Sequence, residues 1–204
     1  GTSNINKVFP KLIEKTPYMG AKSFSLKLAQ DIFKKAKLAK TYVSGEPLGI
    51  SQVKMDGRYC NAIIASNEVY LESRQGERTY VGDAKFLKDL CKIDGDVVLN
   101  GELTVDGHDD RYVANGIVAS IVDIEGKRKS RSEIETTKKI IKFIEKHGDY
   151  KSAINKIRFS VWDVITLEEY YENKSETPYQ VRLDKLIKTI KMLKSDSVSL
   201  VEMV

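Results

Sequence analysis

The sequence has little of what builds metal centres and covalent cross-links. Its 204 residues include only two cysteines and two histidines. Cys60 and Cys91 show no paired spacing, which argues against a zinc site and against a disulfide framework. We therefore expect two reduced thiols in the core, as is typical of intracellular proteins.

Long apolar runs and a targeting leader are also missing. No run approaches the ~20 apolar residues of a membrane span, and no charged-then-apolar leader opens the chain. These absences predict a soluble cytoplasmic protein with no membrane partner. We expect the protein to be monomeric.

The charge balance is mildly basic and does not by itself select a partner. Lysine and arginine number 34 against 29 aspartates and glutamates, which gives a net charge of +5. Such an excess is compatible with a polyanionic partner, but lysine-rich solvated surfaces are common. A partner must therefore be argued from motifs.

Strand patterns outnumber helical patterns in the sequence. Two β-rich runs flank a plausible hairpin turn: residues 59–65 and 69–73, with the turn at residues 66–68. Further strands are predicted at residues 50–54, 96–106 and 157–166. Because hairpin-linked strands favour antiparallel pairing, we predict an α+β fold of mostly antiparallel sheets with flanking helices. In the strand over residues 96–106 Gly101 is an interruption, where the missing side chain would let a ligand approach the backbone.

Helices are indicated by apolar periodicity and by capping residues. The predicted helices are a surface helix over residues 22–40, a short helix capped by Asp83, a helix over residues 132–146 opened by Ser132, and a last helix opened by Thr177-Pro178. In the last helix Leu183, Leu186 and Ile190 form one apolar stripe.

The first chemical signal is the motif Lys54-Met55-Asp56-Gly57, which follows a predicted strand and precedes the hairpin. A lysine acts as a nucleophile only when it is neutral, so its ordinary pKa of about 10.4 must fall through desolvation or a cationic neighbour. Arg58 and a bound cation could meet that need. The alternative is an ordinary surface lysine before an Asp-Gly turn.

Three further blocks follow the lysine motif in order. They are Ser73-Arg74-Gln75-Gly76, Leu99-Asn100-Gly101-Glu102-Leu103 and Phe159-Ser160-Val161-Trp162-Asp163. The series resembles the covalent nucleotidyltransferase superfamily of ATP-dependent ligases and capping enzymes, in which these blocks line one nucleotide pocket. The resemblance implies an ATP-grasp-like adenylation domain.

A finer resemblance covers nearly the whole chain and is to the DNA ligases of T-even bacteriophages. It is carried by the stretches Asn6-Lys7-Val8-Phe9-Pro10, Pro17-Tyr18-Met19, Gln52-Val53-Lys54, Asn115-Gly116-Ile117 and residues 181–186. It implies that residues 1–13 end a DNA-binding domain and its linker. Residues 14–204 would then be an adenylation domain that is incomplete at its C-terminus, with the family's OB-fold domain absent.

The resemblance also implies roles for single residues. Lys54 would attack the α-phosphorus of ATP and hold AMP, while Gln52 would read the adenine edge with Val53 beside it. Glu102 would contact the ribose and help to place Mg²⁺, and Trp162 would stack on the purine. Arg74 would bind phosphate, because its planar guanidinium can donate several hydrogen bonds to phosphate oxygens whereas a lysine acts as a point charge.

Structural alternatives stand beside these roles. Trp162 could be a core residue, Arg74 a plain surface residue, and Asp56 a residue that shapes the turn. Arg58 is assigned to the cofactor as well, but the family motif places its arginine one position later, where this chain has Tyr59. A shift of one residue on a strand points the side chain to the other face unless a bulge or turn absorbs it.

Residues 109–131 resemble a polar insertion of the T-even ligases. This resemblance implies contacts to nicked DNA through Arg111, Asn115, Lys127 and Arg128, together with Arg74. The alternative is a solvated loop, because charge runs are usually solvated.

The sequence therefore predicts an ATP- and Mg²⁺-dependent DNA ligase that seals 5′-phosphate/3′-hydroxyl nicks in duplex DNA through a lysyl-AMP intermediate. An RNA ligase or a capping-type nucleotidyltransferase is the enzymatic alternative, and a non-catalytic basic nucleic-acid-binding module is the other. We expect the chain to be cut at both ends, with residues 199–204 as a strand without a partner and with little activity in isolation.

Overall fold

The computed structural model describes residue 50 and residues 52–108, 110–130 and 133–203, with the side chain of Arg111 left out. Several predictions lie outside the described residues: the domain end at residues 1–13, the helix over residues 22–40, and the capping role of Ser132.

The described residues form an α+β fold, as predicted. The strands are β1 (Arg58–Ala65), β2 (Glu68–Glu72), β3 (Arg78–Thr79), β4 (Val97–Val105), β5 (Ile157–Thr166) and β6 (Val198–Leu200). The helices are α1 (Lys85–Leu90), α2 (Arg111–Lys129), α3 (Glu133–His147), α4 (Tyr150–Asn155), α5 (Leu167–Tyr171) and α6 (Tyr179–Leu193).

The strands make one six-stranded sheet with the order β3-β2-β1-β4-β5-β6. Every pairing is antiparallel except that of β5 with β6. The predicted β1–β2 hairpin is confirmed. Its turn residues Ser66 and Asn67 have φ values of 51° and 64°, the left-handed geometry that a tight hairpin turn requires.

The two faces of the sheet differ in what covers them. Side chains alternate along a strand, and one face contributes Cys60, Ala62 and Leu99 to the main apolar core. Helix α2 covers this core with buried residues Ala114, Ile117, Val118, Ile121 and Ile124. The other face carries polar side chains in the middle of β1 and β4, and only a small apolar cluster around Ile63.

Helix α2 contradicts the alternative that residues 109–131 are a solvated loop. Its buried residues recur at intervals of three and four, which is the spacing of one helix face. The surrounding charges and the glycines at 116 and 126 obscured this period in the sequence. The helix begins at Asp110, whose carboxylate accepts the backbone N–H of Tyr112 at 2.7 Å.

Two predicted helix caps are wrong. Helix α1 has Ala84 at its N-cap position with no side-chain hydrogen bond, so Asp83 does not cap it. Pro178 holds the N-cap position of α6, because the Thr177 hydroxyl donates to Glu169 at 3.1 Å and is not available to the helix.

Three other expectations also change. Residues 198–200 pair with β5 and Met203 forms a bridge with Gln52, so the last segment does have partners. The strand predicted over residues 50–54 is reduced to that bridge and to the Val53 N–H donating to the Glu202 carbonyl at 3.0 Å. Cys60 is buried as expected, whereas Cys91 is exposed.

Gly101 serves packing between strands and not the approach of a ligand. A Cβ there would clash with the Ser160 carbonyl and with the Phe159 ring of the neighbouring strand. The β4–β5 register shifts between Asn100 and Gly101, as expected for a β-bulge at a strand glycine. Within the described part of the chain, none of the helices has the length and apolar character needed to cross a bilayer.

Candidate active site

The lysine motif lies at the edge of the sheet, immediately before β1. Lys54 is exposed. The turn that follows is tied to β4, because the Gly57 N–H donates to Glu102 Oε2 at 2.5 Å. A Cβ at position 57 would clash with the Leu103 carbonyl. Glycine is therefore required to bring the Lys54 segment against Glu102.

Glu102 is half-buried and lies among charged groups. Burial raises the pKa of its carboxyl, and the negative charge of Asp56 raises it further. The hydrogen bond from Gly57 and the positive charges of Lys54 and Arg74 lower the pKa and so oppose this rise. Two carboxylates near two cations can hold phosphate oxygens and a divalent cation, since Mg²⁺ is commonly bound through one or two carboxylates plus substrate phosphates.

Tyr59, and not Arg58, lies beside Glu102 in the sheet. It is the cross-strand partner of Glu102, whereas Arg58 pairs with Leu103 and lies on the opposite face. The structure therefore does not bring Arg58 to Glu102. Arg74 reaches the site instead, with its guanidinium carbon 4.9 Å from the centre of the Tyr59 ring.

A buried polar network continues from Tyr59 along the same face. Asn100 Nδ2 donates to the Tyr59 hydroxyl and to Asn61 Oδ1, both at 2.5 Å. Asn61 Nδ2 donates to Tyr170 Oη at 3.3 Å, and Tyr170 donates to Glu72 at 2.8 Å. Burial is the main cause that raises the pKa of Tyr59 to about 12. Sequence reasoning missed this network because Asn61 reads as one polar residue in a β-rich run.

Trp162 and Gln52 meet at the neighbouring end of the site. The β4–β5 register passes from Asp163 to Val161, so Trp162 is the extra residue of the bulge. Its ring is half-buried and its centre lies 6.2 Å from that of Tyr59. The Tyr179 hydroxyl lies 2.7 Å from Gln52 Oε1 and 2.6 Å from the Trp162 carbonyl oxygen.

Four of the five residues predicted to bind DNA lie along α2, and the fifth, Arg74, lies between β2 and β3. At its end, Lys127 pairs with Glu135 at 2.6 Å and Arg128 with Glu125 at 3.0 Å. Near its start Asn115 is half-buried, and the side chain of Arg111 is outside the described residues. The first turn of α2 borders the site, because a groove of about 530 Å³ is lined by Met55, Asp56, Thr104, His108, Asp110, Tyr112 and Ala114.

No protein-family model and no curated protein matches the sequence. Solved structures do match. The structure named Pmar-Lig_Pre superposes on 99% of this chain with a TM-score of 0.57 and 16% identity, and 38% of its own length is covered. The ATP-dependent DNA ligase from bacteriophage T7, complexed with ATP, superposes on 92% with a TM-score of 0.50 and 15% identity, and 55% of it is covered.

These likenesses establish the fold. The chain has the fold of a ligase nucleotidyltransferase domain, and it spans between 38% and 55% of the length of these two solved structures.

Proposed function

We propose that this chain is the nucleotide-binding core of an ATP-dependent DNA ligase of the T-even bacteriophage type, and that Lys54 is the residue that becomes adenylated. The observation that carries the proposal is the convergence of Lys54, Arg74 and Glu102 on the polar face of a sheet with the ligase fold. The T-even assignment rests on the sequence motifs.

The first chemical step is a displacement at phosphorus. The nitrogen lone pair of Lys54 attacks the α-phosphorus of ATP, a P–N bond forms, the P–O bond to the leaving pyrophosphate breaks, and the proton lost by the nitrogen passes to solvent. Arg74 holds phosphate oxygens with its guanidinium, which is exposed and stacked on Tyr59. Trp162 and Gln52, at the other end of the site, hold the base, with Val53 beside them.

Glu102 and Asp56 are the residues that would hold Mg²⁺. Their fit rests on geometry: the Gly57 N–H donates to Glu102 Oε2 at 2.5 Å, which brings the residue next to Asp56 against Glu102, and Mg²⁺ is commonly bound through one or two carboxylates plus substrate phosphates. When bound, the metal neutralises charge on the phosphates. Glu102 also accepts the Gly57 N–H and thereby holds the backbone turn that follows Lys54. In this proposal one carboxylate therefore positions the nucleophile's backbone and also contacts the ribose and the metal.

Transfer of AMP to a DNA 5′-phosphate and sealing by the 3′-hydroxyl complete the proposed reaction. Arg74, Arg111 and Asn115 are the proposed contacts to nicked duplex DNA. The proposal is supported by the first turn of α2, whose Tyr112 and Ala114 line one groove with Met55 and Asp56. Lys127 and Arg128 would have to exchange their ion pairs with Glu135 and Glu125 for phosphate contacts.

The test is a labelling experiment with the chain, ATP labelled at the α-phosphate, and Mg²⁺. We expect a labelled protein band that survives denaturation and is discharged by pyrophosphate. Salt-dependent DNA binding without any label would indicate a non-catalytic basic module and overturn the proposal.

Substrate choice is tested with a pre-adenylated nick. Sealing of a nicked RNA duplex in preference to a nicked DNA duplex would favour an RNA ligase. Labelling by GTP in preference to ATP would favour a capping-type enzyme.

A further inference from the structure

On the polar face of the sheet, Arg74 and Arg78 each lie over a tyrosine ring. The guanidinium carbon of Arg74 is 4.9 Å from the centre of the Tyr59 ring. That of Arg78 is 3.4 Å from the centre of the Tyr70 ring. Arg74 belongs to the site already described, whereas Arg78 and Tyr70 take no part in the proposed chemistry. Because the two stacks have the same composition, the second can bind the same kind of anion as the first.

The strand register places both stacks on one face. Residues two apart on a strand share a face, so Tyr59 and Ile63 lie on the same side of β1. Tyr70 is the cross-strand partner of Ile63, and Arg78, on the outermost strand β3, is the partner of Glu72 on β2. Since directly opposite residues also share a face, Arg78 and Tyr70 lie on the same side as Tyr59.

The Arg78 side chain is exposed, and its stacking leaves its charge available. Its cross-strand partner Glu72 accepts the Tyr170 hydroxyl at 2.8 Å, and no carboxylate in the described part of the chain forms an ion pair with Arg78. The contact with Tyr70 uses the π face of the guanidinium, so the N–H donors in its plane stay available. Arg78 is therefore held in place with its donors open to an external anion.

The Tyr70 ring is supported by a second tyrosine. Its hydroxyl lies 3.0 Å from that of Tyr171, a residue that is 67% exposed. Tyr171 packs edge-on against Tyr170, with ring centres 5.8 Å apart. The bond between the two hydroxyls uses one of their two protons, so the other can be donated to a bound oxygen atom.

Phosphate is the anion that this cluster fits. A guanidinium donates two parallel hydrogen bonds to phosphate oxygens, and arginine and tyrosine side chains are among the groups that contact the DNA backbone. The cluster lies away from the base, because the proposed base site at Trp162 is on β5 and β3 is four strands away, about 19 Å at ~4.8 Å per strand. A chain of phosphates that continues from the nucleotide site meets both conditions.

We infer that Arg78, Tyr70 and Tyr171 form a second phosphate-binding position, which holds the backbone of nicked duplex DNA on the path that begins at Arg74. The inference rests on the proposed function, which places the nick at the end of the site where Lys54 and Arg74 lie.

The spacing of the two stacks fixes which phosphate is bound. The four-residue step from Tyr59 to Ile63, the partner of Tyr70, is about 13 Å long, roughly four nucleotides of rise at ~3.4 Å per phosphate. Arg78 therefore contacts a phosphate away from the nick and none of the reacting groups.

The first test is DNA binding by Arg78→Ala, measured on a nicked duplex at several salt concentrations. We expect the affinity to fall about tenfold at low salt, the effect of one charged hydrogen-bonding contact, and the salt slope to fall by about one. Lys88→Ala is the matched control and should bind as the wild type does. It removes one exposed positive charge from α1, whose Phe86 packs in the core on the other face. Unchanged binding by Arg78→Ala, or an equal loss in the two variants, would overturn the inference.

The second test locates the phosphate. Single phosphates of the nicked duplex are replaced, one position at a time, by uncharged methylphosphonates. In the wild type, a replacement roughly three to five nucleotides from the nick should weaken binding by a similar factor. The same replacement should have no further effect in Arg78→Ala, because the partner of that phosphate is gone. If the variant is as sensitive as the wild type at every position, Arg78 contacts no phosphate and the inference is wrong.

A third variant separates binding from a structural role of Arg78. Arg78→Lys keeps the charge and loses the planar set of donors, so it should restore the salt slope and only part of the affinity. A lysine variant that binds as weakly as the alanine variant, with the same lowered slope, would make the effect structural and overturn the inference. Should Arg78→Ala not fold, Arg78→Gln takes its place, since it removes the charge and retains a long polar side chain.

Failure of this inference is distinguishable from failure of the proposed function, because labelling of Lys54 by ATP requires no DNA. Normal labelling of the wild type together with unchanged DNA binding by Arg78→Ala overturns the role of Arg78 alone. Absence of label together with the expected change in salt slope overturns the proposed chemistry and leaves the phosphate position standing. A wild-type chain that is labelled but binds no DNA overturns the inference.

Discussion

The two faces of strands β1 and β4 differ in composition although their residues alternate one by one along the same backbone. Cys60, Ala62 and Leu99 are at most 1% exposed and belong to the main core. Asn61, on the other face, makes side-chain hydrogen bonds within the polar network, and Glu102 accepts from Gly57. Packing and proposed chemistry are thus separated by a single residue step. Substitutions at adjacent positions should therefore change different properties of the protein.

The largest expected effect is on chemistry alone. Lys54→Ala should abolish labelling by ATP, because no other group on the polar face offers an amine beside Glu102, among the described residues. Thermal stability should not change, since the side chain is exposed. Lys88→Ala, which removes an exposed lysine of α1, is the control and should label as the wild type does. Undiminished label on the Lys54 variant would contradict the proposal.

The next effect is on stability alone. Leu99→Ala should lower the free energy of unfolding by about 2–5 kcal/mol, the range for truncating a buried leucine, because Leu99 is fully buried under the helices. Chemical denaturation measures the change. ATP affinity of the folded variant should stay close to that of the wild type, and a loss of affinity that exceeds the loss of stability would show that the two faces are not separable.

Trp162→Ala should weaken ATP binding roughly ten- to a hundredfold, since stacking of a base on an aromatic ring is worth ~1–3 kcal/mol. The melting temperature should change little because the ring is half-buried. Trp162 is the single tryptophan of the chain, so its fluorescence in the wild type reports nucleotide binding directly. A collapsed melting temperature with normal labelling of the folded fraction would make Trp162 a core residue.

Glu102→Gln should slow labelling by about tenfold, the effect of one lost charged contact, without lowering stability at neutral pH. The folded pKa of this carboxyl is raised, mainly by burial, so its charged form opposes folding above its unfolded pKa. Glutamine keeps an oxygen for the Gly57 N–H and removes the charge. The variant should melt at or above the wild-type temperature at pH 7, and the difference should shrink as the pH falls through the folded pKa of Glu102. A lower melting temperature at pH 7 would assign Glu102 a structural role.

The smallest effect is expected on DNA binding at the end of α2. Lys127→Ala should weaken DNA binding less than Arg74→Ala, because Lys127 gives up an ion pair with Glu135 in order to contact phosphate. Titrations at several salt concentrations measure both variants, since each lost phosphate contact lowers the salt slope by about one. Equal losses for the two variants would extend the DNA-binding surface along the whole of α2.

Local patterns predicted much of the fold. The β1–β2 hairpin, β4, β5 and the apolar stripe of α6 follow from short-range alternation, turn residues and helical spacing. The cap predicted at Thr177 failed because its hydroxyl donates to Glu169 instead. The cap predicted at Asp83 failed because the helix has its N-cap one position later, at Ala84. Helix α2 was missed because its charges and glycines outweighed its apolar period.

The sequence predicted only those candidate site residues that belong to a recognisable sequence motif. Lys54, Arg74 and Glu102 were singled out from their sequence blocks, and the structure brings them together. The contacts of Tyr179 and Asn61 were missed because they join residues far apart in sequence, which tertiary packing alone sets. Arg58 pairs with Leu103 and not with Glu102, because side chains alternate between the two faces of a strand.

The most direct test of the account is to locate the nucleotide on the protein. The chain is incubated with ATP and Mg²⁺, digested, and its peptides are analysed by mass spectrometry for the added mass of one AMP. The account predicts that the AMP is on the peptide containing Lys54, bound through the side-chain nitrogen and removed by pyrophosphate. AMP on any other residue, or a chain that stays unmodified while it binds ATP at Trp162, would contradict it.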